Sequence, residues 1–237
     1  MVEKRAICLL SGGLDSCVSA AIAKKQDYSL YALTFEYGQQ HQREVQSAQQ
    51  IAESLQVQEH IVFPLDLKQF QGSSLVDDAR EIPDASSLDR IGVTIPSTYV
   101  PARNTIFLSI ALALAEVKEA DAIFIGVNEV DYSGYPDCRP EYIKAFQAMA
   151  DLATKKAVEG KKTLIETPLL HLSKKEIIKK GVEVNAPYYF SWSCYRGEEQ
   201  ACGQCESCLL RLKGFQDAGV ADPLIYQSYP DWYTQNK

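Results

Sequence analysis

The feature that most constrains this chain is an alternation. Short apolar runs take turns with segments whose apolar residues recur at helical spacing. Residues 6–10 are an apolar run of buried-strand type, and residues 15–25 place Val18, Ala21 and Ile22 on one helical face. Residues 29–35 alternate and carry Tyr, Leu, Thr and Phe, which suits a strand. Residues 42–55 bring Val45, Ala48, Ile51, Ala52 and Leu55 to one helical side, and residues 61–63 form a third apolar run closed by Pro64. Residues 106–117 read as a helix apolar almost all round, and hence buried. Residues 122–127 read as a strand, residues 142–158 as one helix, and residues 164–166 as a short strand. Ser173 and Glu176 spell a capping box with Leu172 as a staple, and Gly181 is expected to close that helix. Strands alternating with helices predict an α/β fold, a doubly wound parallel sheet with helices on both faces. Ligands bind such sheets outside the carboxyl ends of the strands. The turns to inspect therefore begin at Ser11, at Glu36, near Pro64 and at Asn128.

Composition sets the class. The chain has 237 residues, 46% hydrophobic and 23% charged, with a formal net charge of −7. Disordered and collagen-like readings are excluded, and the acid excess argues against a protein that coats nucleic acid electrostatically. The longest apolar stretch, residues 106–117, is interrupted by Ser109 and Glu116 and is short of a membrane span. No signal-peptide pattern opens the chain, so a cytoplasmic location is expected. Residues 66–103 hold Pro83, Pro96 and Pro101 with little periodicity, and a loop of that length is usually functional.

The first turn reads Ser11-Gly12-Gly13-Leu14-Asp15-Ser16, directly between a strand and a helix. Two glycines let the backbone turn tightly and bring its N–H groups against a ligand. Two hydroxyls and a helix N-terminus complete an anion cradle without a lysine in the loop. It is neither a Walker A loop nor a dinucleotide fingerprint. The string resembles the PP-loop of the ATP pyrophosphatases, which cleave ATP between its α and β phosphates.

Seven cysteines occur, four of them at 194, 202, 205 and 208. In a reducing compartment clustered thiols point to metal before disulfides. Cys194, Cys202, Cys205 and Cys208 suit a structural Zn²⁺, with an iron–sulfur cluster as the rival. Arg196, Arg211 and Lys213 flank them and are expected to offset the thiolate charge. Cys8 and Cys17 read as core residues. Cys138 lies in a loop, with no partner base evident in the sequence for a nucleophilic role.

Three further strings fall where a substrate should lie. Residues 126–141 supply Glu129, Asp131 and Asp137 as acceptors for the N–H groups of a purine-like base, Tyr132 and Tyr135 as stacking surfaces, and Arg139 as a partner for a carboxylate or phosphate. Tyr37, Gln39 and His41 follow the second strand. Arg103 and Asn104 enter the apolar helix, placing Arg103 as a second clamp on phosphate charge.

Taken jointly, residues 11–16, 37–41, 100–104 and 131–139 and the four cysteines resemble the 7-cyano-7-deazaguanine synthase family, over residues 8–212. That resemblance implies an adenine nucleotide alpha hydrolase-like fold of the PP-loop class. Residues 1–185 would form the nucleotide-binding domain and residues 186–237 a small zinc-binding lobe packed on it. It implies an ATP-dependent, AMP-forming ligase that joins 7-carboxy-7-deazaguanine to ammonia through an adenylated carboxylate and an amide, ending in a nitrile for queuosine synthesis. It implies ATP with Mg²⁺, one structural Zn²⁺ per chain, a homodimer and no direct nucleic-acid partner. The nucleotide loop carries over to Cys8, Leu9, Leu10, Ser11, Gly12, Gly13, Leu14, Asp15, Ser16, Cys17 and Val18. Ser11, Asp15, Ser16, Arg103 and Asp131 are the expected catalytic set, Asp131 or Glu129 being the only guess at a base. A PP-loop tRNA-modifying enzyme, of the thiolation or lysidine type, is the alternative, and a non-catalytic nucleotide sensor a third reading.

Overall fold

The computed structural model describes residues 3–39, 42–70, 72–77, 79–84, 95–128, 135–197 and 199–234. Strands β1 (Lys4–Leu9), β2 (Tyr28–Glu36), β3 (Glu59–Pro64), β4 (Ala122–Phe124) and β5 (Leu164–Glu166) form one sheet in the order β3-β2-β1-β4-β5. All four pairings are parallel. The order reverses direction between β1 and β4, which makes the carboxyl ends of those two strands the topological switch point.

Burial on both faces explains why β1 and β4 read as continuous apolar runs. Ala6, Cys8, Leu10, Ala122 and Phe124 pack with α1 (Leu14–Lys25), α2 (Arg43–Ser54) and α6 (Lys174–Glu183). Ile7, Leu9, Ile123 and Ile125 face α3 (Arg103–Val117) and α4 (Pro140–Ala153). The four clustered cysteines belong to this second apolar cluster. The last helix, α7 (Glu206–Ala218), contributes Leu212 to one face of the sheet and Phe215 to the other.

Four details differ from the sequence expectations. Gly181 lies inside α6, not at its end. A Cβ there would stand 3.0 Å from a Val18 methyl, so the glycine serves close packing against α1. The helix expected over 142–158 is two, α4 and α5 (Lys155–Val158), because Thr154 is extended and caps α5 through Ala157 N–H. The strand expected over 122–127 ends at Phe124. Next to it, Gly126 runs so close to the start of α1 that a Cβ would meet the Asp15 backbone at 2.8 Å. Finally, α3 buries one side only, through Leu108, Ala111, Leu112 and Ala115, since it forms an outer layer on the sheet. The capping box at Ser173 is present as expected. Among the described residues no helix is long and apolar enough to cross a membrane.

Candidate active site

The turn from β1 to α1 is built from its own small side chains. Gly12 has φ +88°, and a Cβ there would overlap the Glu44 carbonyl oxygen at 2.1 Å, so both conformation and space demand glycine. Gly13 is the N-cap of α1. Ser16 Oγ accepts from Ser11 N–H at 3.2 Å, lies 3.0 Å from Ser11 Oγ, and donates to the Gly13 carbonyl at 3.0 Å. These bonds hold an open N–H-rich turn at a helix N-terminus, the arrangement that receives phosphate oxygens. The turn is also gripped from outside: Trp192 N–H donates to the Gly12 carbonyl at 2.9 Å.

The turn opens onto a cleft of about 220 Å³ at the switch point, bounded by Leu9 and Leu10 at and just beyond the end of β1 and by Ile125 and Gly126 beyond β4. On one side Lys174 Nζ donates to both oxygens of Asp15, at 2.8 and 2.7 Å, from the first turn of α6. Both side chains of this pair are largely buried. On the other side Arg103, the first residue of α3, donates to Tyr37 Oη at 3.2 Å. Burial pushes the Tyr37 phenol up to about 12 against the opposing pull of Arg103, so it stays protonated. Glu44, in the first turn of α2, also lines the cleft. Burial lifts its carboxyl to about 7; Arg103 opposes that rise and Cys194 adds to it.

Below the cleft the start of α3 is locked. Asn104 N–H donates to Asp137 Oδ2 at 2.9 Å, and Asn104 Nδ2 donates to the Asp137 carbonyl and to Cys138 Sγ, both at 3.3 Å. Burial pushes the Cys138 thiol up to about 12, so it is held as a thiol and not a thiolate.

Behind the cleft, Cys194, Cys202, Cys205 and Cys208 are all buried, with every sulfur within 4.8 Å of the others. One zinc ion with Zn–S bonds of about 2.3 Å places its four sulfurs roughly 3.8 Å apart. The Cys202 and Cys208 sulfurs stand 3.9 Å apart. Cys194 Sγ accepts the N–H groups of Arg196 and Cys202, and Cys202 Sγ accepts those of Gln204 and Cys205, at 3.3–3.4 Å. Four buried sulfurs, two of them receiving backbone N–H donors, fit a single tetrahedral Zn²⁺. An iron–sulfur cluster would have to interpose several atoms between the same sulfurs. Gly203, φ +75°, allows the knuckle to touch Ser228, whose carbonyl oxygen would lie 1.9 Å from any Cβ.

The family model described as "Queuosine biosynthesis protein QueC" matches residues 5–219. The chain belongs to this family. It is 52% identical over 228 residues to the 7-cyano-7-deazaguanine synthase of Saccharophagus degradans, covering 95% of this chain and 99% of that protein. The synthase of Desulfatibacillum aliphaticivorans is 54% identical over 94% of this chain and 97% of its own length. That of Thermoplasma volcanium is 50% identical over 99% of this chain and 96% of its own. Among solved structures, a 4-thiouridine synthetase–RNA complex with bound ATP superposes with a TM-score of 0.51 at 18% identity, over 91% of this chain and 50% of that one. That likeness is one of fold.

Within this member of the QueC family, the residues singled out from sequence separate into groups. Leu9, Leu10, Ser11, Gly13, Leu14, Asp15, Ser16, Arg103 and Asn104 line the cleft, as do Tyr37, Gln39 and Tyr135. Gly12 acts through its backbone. Cys8 on β1 and Cys17 and Val18 on α1 are buried in the core and do not line the cleft. Asp137 is turned to the α3 N-terminus, and Arg139 is an exposed residue at the start of α4. His41, Glu129, Asp131 and Tyr132 lie outside the described residues. Of the flanking cations, Arg211 pairs with Asp222 at 3.0 Å while also interacting electrostatically with Cys208, Arg196 interacts in the same way with Cys202 and Cys205, and Lys213 pairs with Asp217. The Arg196 guanidinium bonds Asp84 and the Ile82 carbonyl. Lys174, Glu44, Trp192 and Ser193 also line the cleft without having stood out in the sequence. The lone signal for Lys174 was its place in a capping box, which reports a helix start and nothing about Asp15.

Proposed function

We propose that this protein converts 7-carboxy-7-deazaguanine and ammonia to 7-cyano-7-deazaguanine with cleavage of ATP to AMP and pyrophosphate. The observation that carries the reading is the loop-bearing cleft at the switch point, in a chain more than half identical over nearly its whole length to proteins named for that product. The substrate carboxylate attacks the α-phosphorus of ATP and pyrophosphate leaves. Ammonia then attacks the acyl carbon and AMP leaves, giving the amide. The amide oxygen attacks the α-phosphorus of a second ATP and pyrophosphate leaves; loss of AMP and of both amide N–H protons then yields the nitrile.

The roles follow from position. The Ser11–Ser16 turn holds the departing pyrophosphate by N–H and hydroxyl groups, and Arg103 faces the same cleft as a second clamp. Lys174 holds the Asp15 carboxylate at the cleft wall. Asp15 offers the oxygen donors that Mg²⁺ accepts beside nucleotide phosphates. Glu44, half-titrated near neutrality, takes the proton from ammonium, a role for which Asp131 is the other candidate in the site. Tyr37, Gln39 and Tyr135, with His41, Glu129, Tyr132, Asp137 and Arg139, are assigned to the base-binding side. The four thiols would hold one structural Zn²⁺ per chain, which takes no part in the chemistry. Residues 1–185 and 186–237 are assigned as the nucleotide domain and its metal lobe. A homodimeric, cytoplasmic enzyme without a nucleic-acid partner completes the reading.

Incubation with ATP, Mg²⁺, ammonium and the carboxylic acid should yield amide and nitrile by mass spectrometry. Absence of both would refute the assignment. A tRNA-modifying role is not favoured: the RNA-bound neighbour shares the fold at 18% identity, and this chain spans only half of it.

A further inference from the structure

The four-thiol centre and the phosphate-type turn touch through one short segment, residues 191–194. Trp192 sits in its middle with 3% exposure and makes contacts in three directions. Its N–H donates to the Gly12 carbonyl at 2.9 Å. Its indole Nε1–H donates to the carbonyl of Cys194, a thiol of the centre, at 2.8 Å. The Arg43 guanidinium, from the start of α2, lies 4.7 Å from the centre of its ring. The residues on either side are pinned as well. Arg211 Nη1 donates to Ser191 Oγ at 2.8 Å and to Ser193 Oγ at 3.1 Å. Arg211 is in turn fixed by Asp222, both side chains being 1% exposed.

Gly12 is the residue with no latitude. Its φ is +88°, and the Glu44 carbonyl stands where a Cβ would go. The direction in which its own carbonyl points fixes the peptide plane shared with Gly13, and therefore where the Gly13 N–H aims. Trp192 N–H is the group that holds that carbonyl.

From these contacts we infer that Trp192 is a positioning residue that couples occupancy of the four-thiol centre to the phosphate-binding shape of the Ser11–Ser16 turn. Metal on the thiols fixes Cys194, Cys194 fixes the indole, and the Trp192 N–H fixes Gly12. The inference rests on the nucleotide reading of the turn given above. Coupling of this kind is reciprocal. Nucleotide on the turn must tighten metal on the thiols by the same factor as metal tightens nucleotide.

The test is a chelator competition on the full-length zinc-loaded protein, with and without saturating Mg²⁺ and the non-cleavable analogue α,β-methylene-ATP. In the parent, the analogue should raise zinc affinity about 10-fold, within the usual range for coupled sites. In Trp192→Phe, which lacks the Nε1–H donor, the factor should fall to about 2-fold or less while zinc affinity without nucleotide stays near the parent value. Arg43→Met removes the cation from the ring face and leaves the indole hydrogen bond intact, so it should give an intermediate factor even if Trp192→Phe fails to fold. A merely structural tryptophan would lower stability and leave the factor unchanged. Full coupling retained in both variants, or an analogue that binds the parent without shifting zinc affinity, overturns the inference alone. An analogue that fails to bind the zinc-loaded parent overturns the nucleotide reading and the inference with it.

Discussion

The turn at Ser11–Ser16 and the thiol centre at Cys194–Cys208 solve opposite electrostatic problems with the same groups. Both aim backbone N–H donors at negative charge. In the turn the charge is to arrive with a ligand, and the Ser11 and Gly13 N–H groups meanwhile donate to the Ser16 and Ser11 hydroxyls, exchangeable partners beside an open cleft. In the centre the chain supplies the charge itself, as sulfurs buried to 3% exposure or less, and the donors are already spent on Cys194 and Cys202. Exchange is compatible with the first geometry, and permanence with the second. Changes at the centre should therefore be felt as stability, and changes at the turn as rate.

The sharpest way to break this contrast is Cys205→Ser. It should release metal and cost on the order of 5 kcal/mol or more of stability, read by metal analysis with thermal unfolding. A variant that kept its melting temperature without metal would put the centre in the same class as the turn. Next in size is Arg211→Met, which leaves Asp222 buried and uncompensated. About 3–5 kcal/mol should be lost in denaturant unfolding. Gly12→Ala falls between the two classes. Its overlap with Glu44 and its left-handed backbone should cost about 2–3 kcal/mol, and AMP formation should disappear as well. At the far end Ser11→Ala and Asp15→Asn should leave the unfolding curve within about 1 kcal/mol of the parent and abolish AMP formation. Full rate in either variant would remove the turn from the mechanism.

The smallest effect concerns Glu44. Its folded-state pKa of about 7 lies above the ordinary carboxylate value, so the native state holds the extra proton between roughly pH 4.5 and 7. Stability contributed by that proton is complete below this window and is lost as the pH rises through it. Glu44→Gln should flatten the stability profile between those limits and remove the neutral limb of the rate profile with ammonium. An unchanged limb would return the base to Asp131 or to solvent.

Much of the fold was legible because its signals are local. Buried parallel strands read as apolar runs, and the start of α6 is marked by its capping box at Ser173. The turn was legible for the same reason: six consecutive residues carry it. What was not legible depends on approach between distant segments. Lys174 reaches Asp15 from 159 residues away, and no local pattern marks a lysine that will be buried beside a carboxylate. Gly181 reads as a helix stop from its own neighbours and as a packing contact only once Val18 is in place. Arg211 reads as a counter-charge to the thiols, and only the fold shows that Asp222 is its direct partner. Cys8, Cys17 and Val18 fall inside the family string, yet Cys8 is turned into the core by the alternation of β1, and Cys17 and Val18 lie on the packed side of α1.

The Gly12 carbonyl and the Asp15 carboxylate have a consequence for how the protein is made. Both are synthesised before their partners, Trp192 and Lys174, which stand far downstream in the sequence. Chains emerge N-terminus first. A nascent chain therefore displays the turn without its backbone clamp or its counter-ion, and gains both only once Trp192 has been added. A product truncated before Lys174 would have the turn without either hold on it.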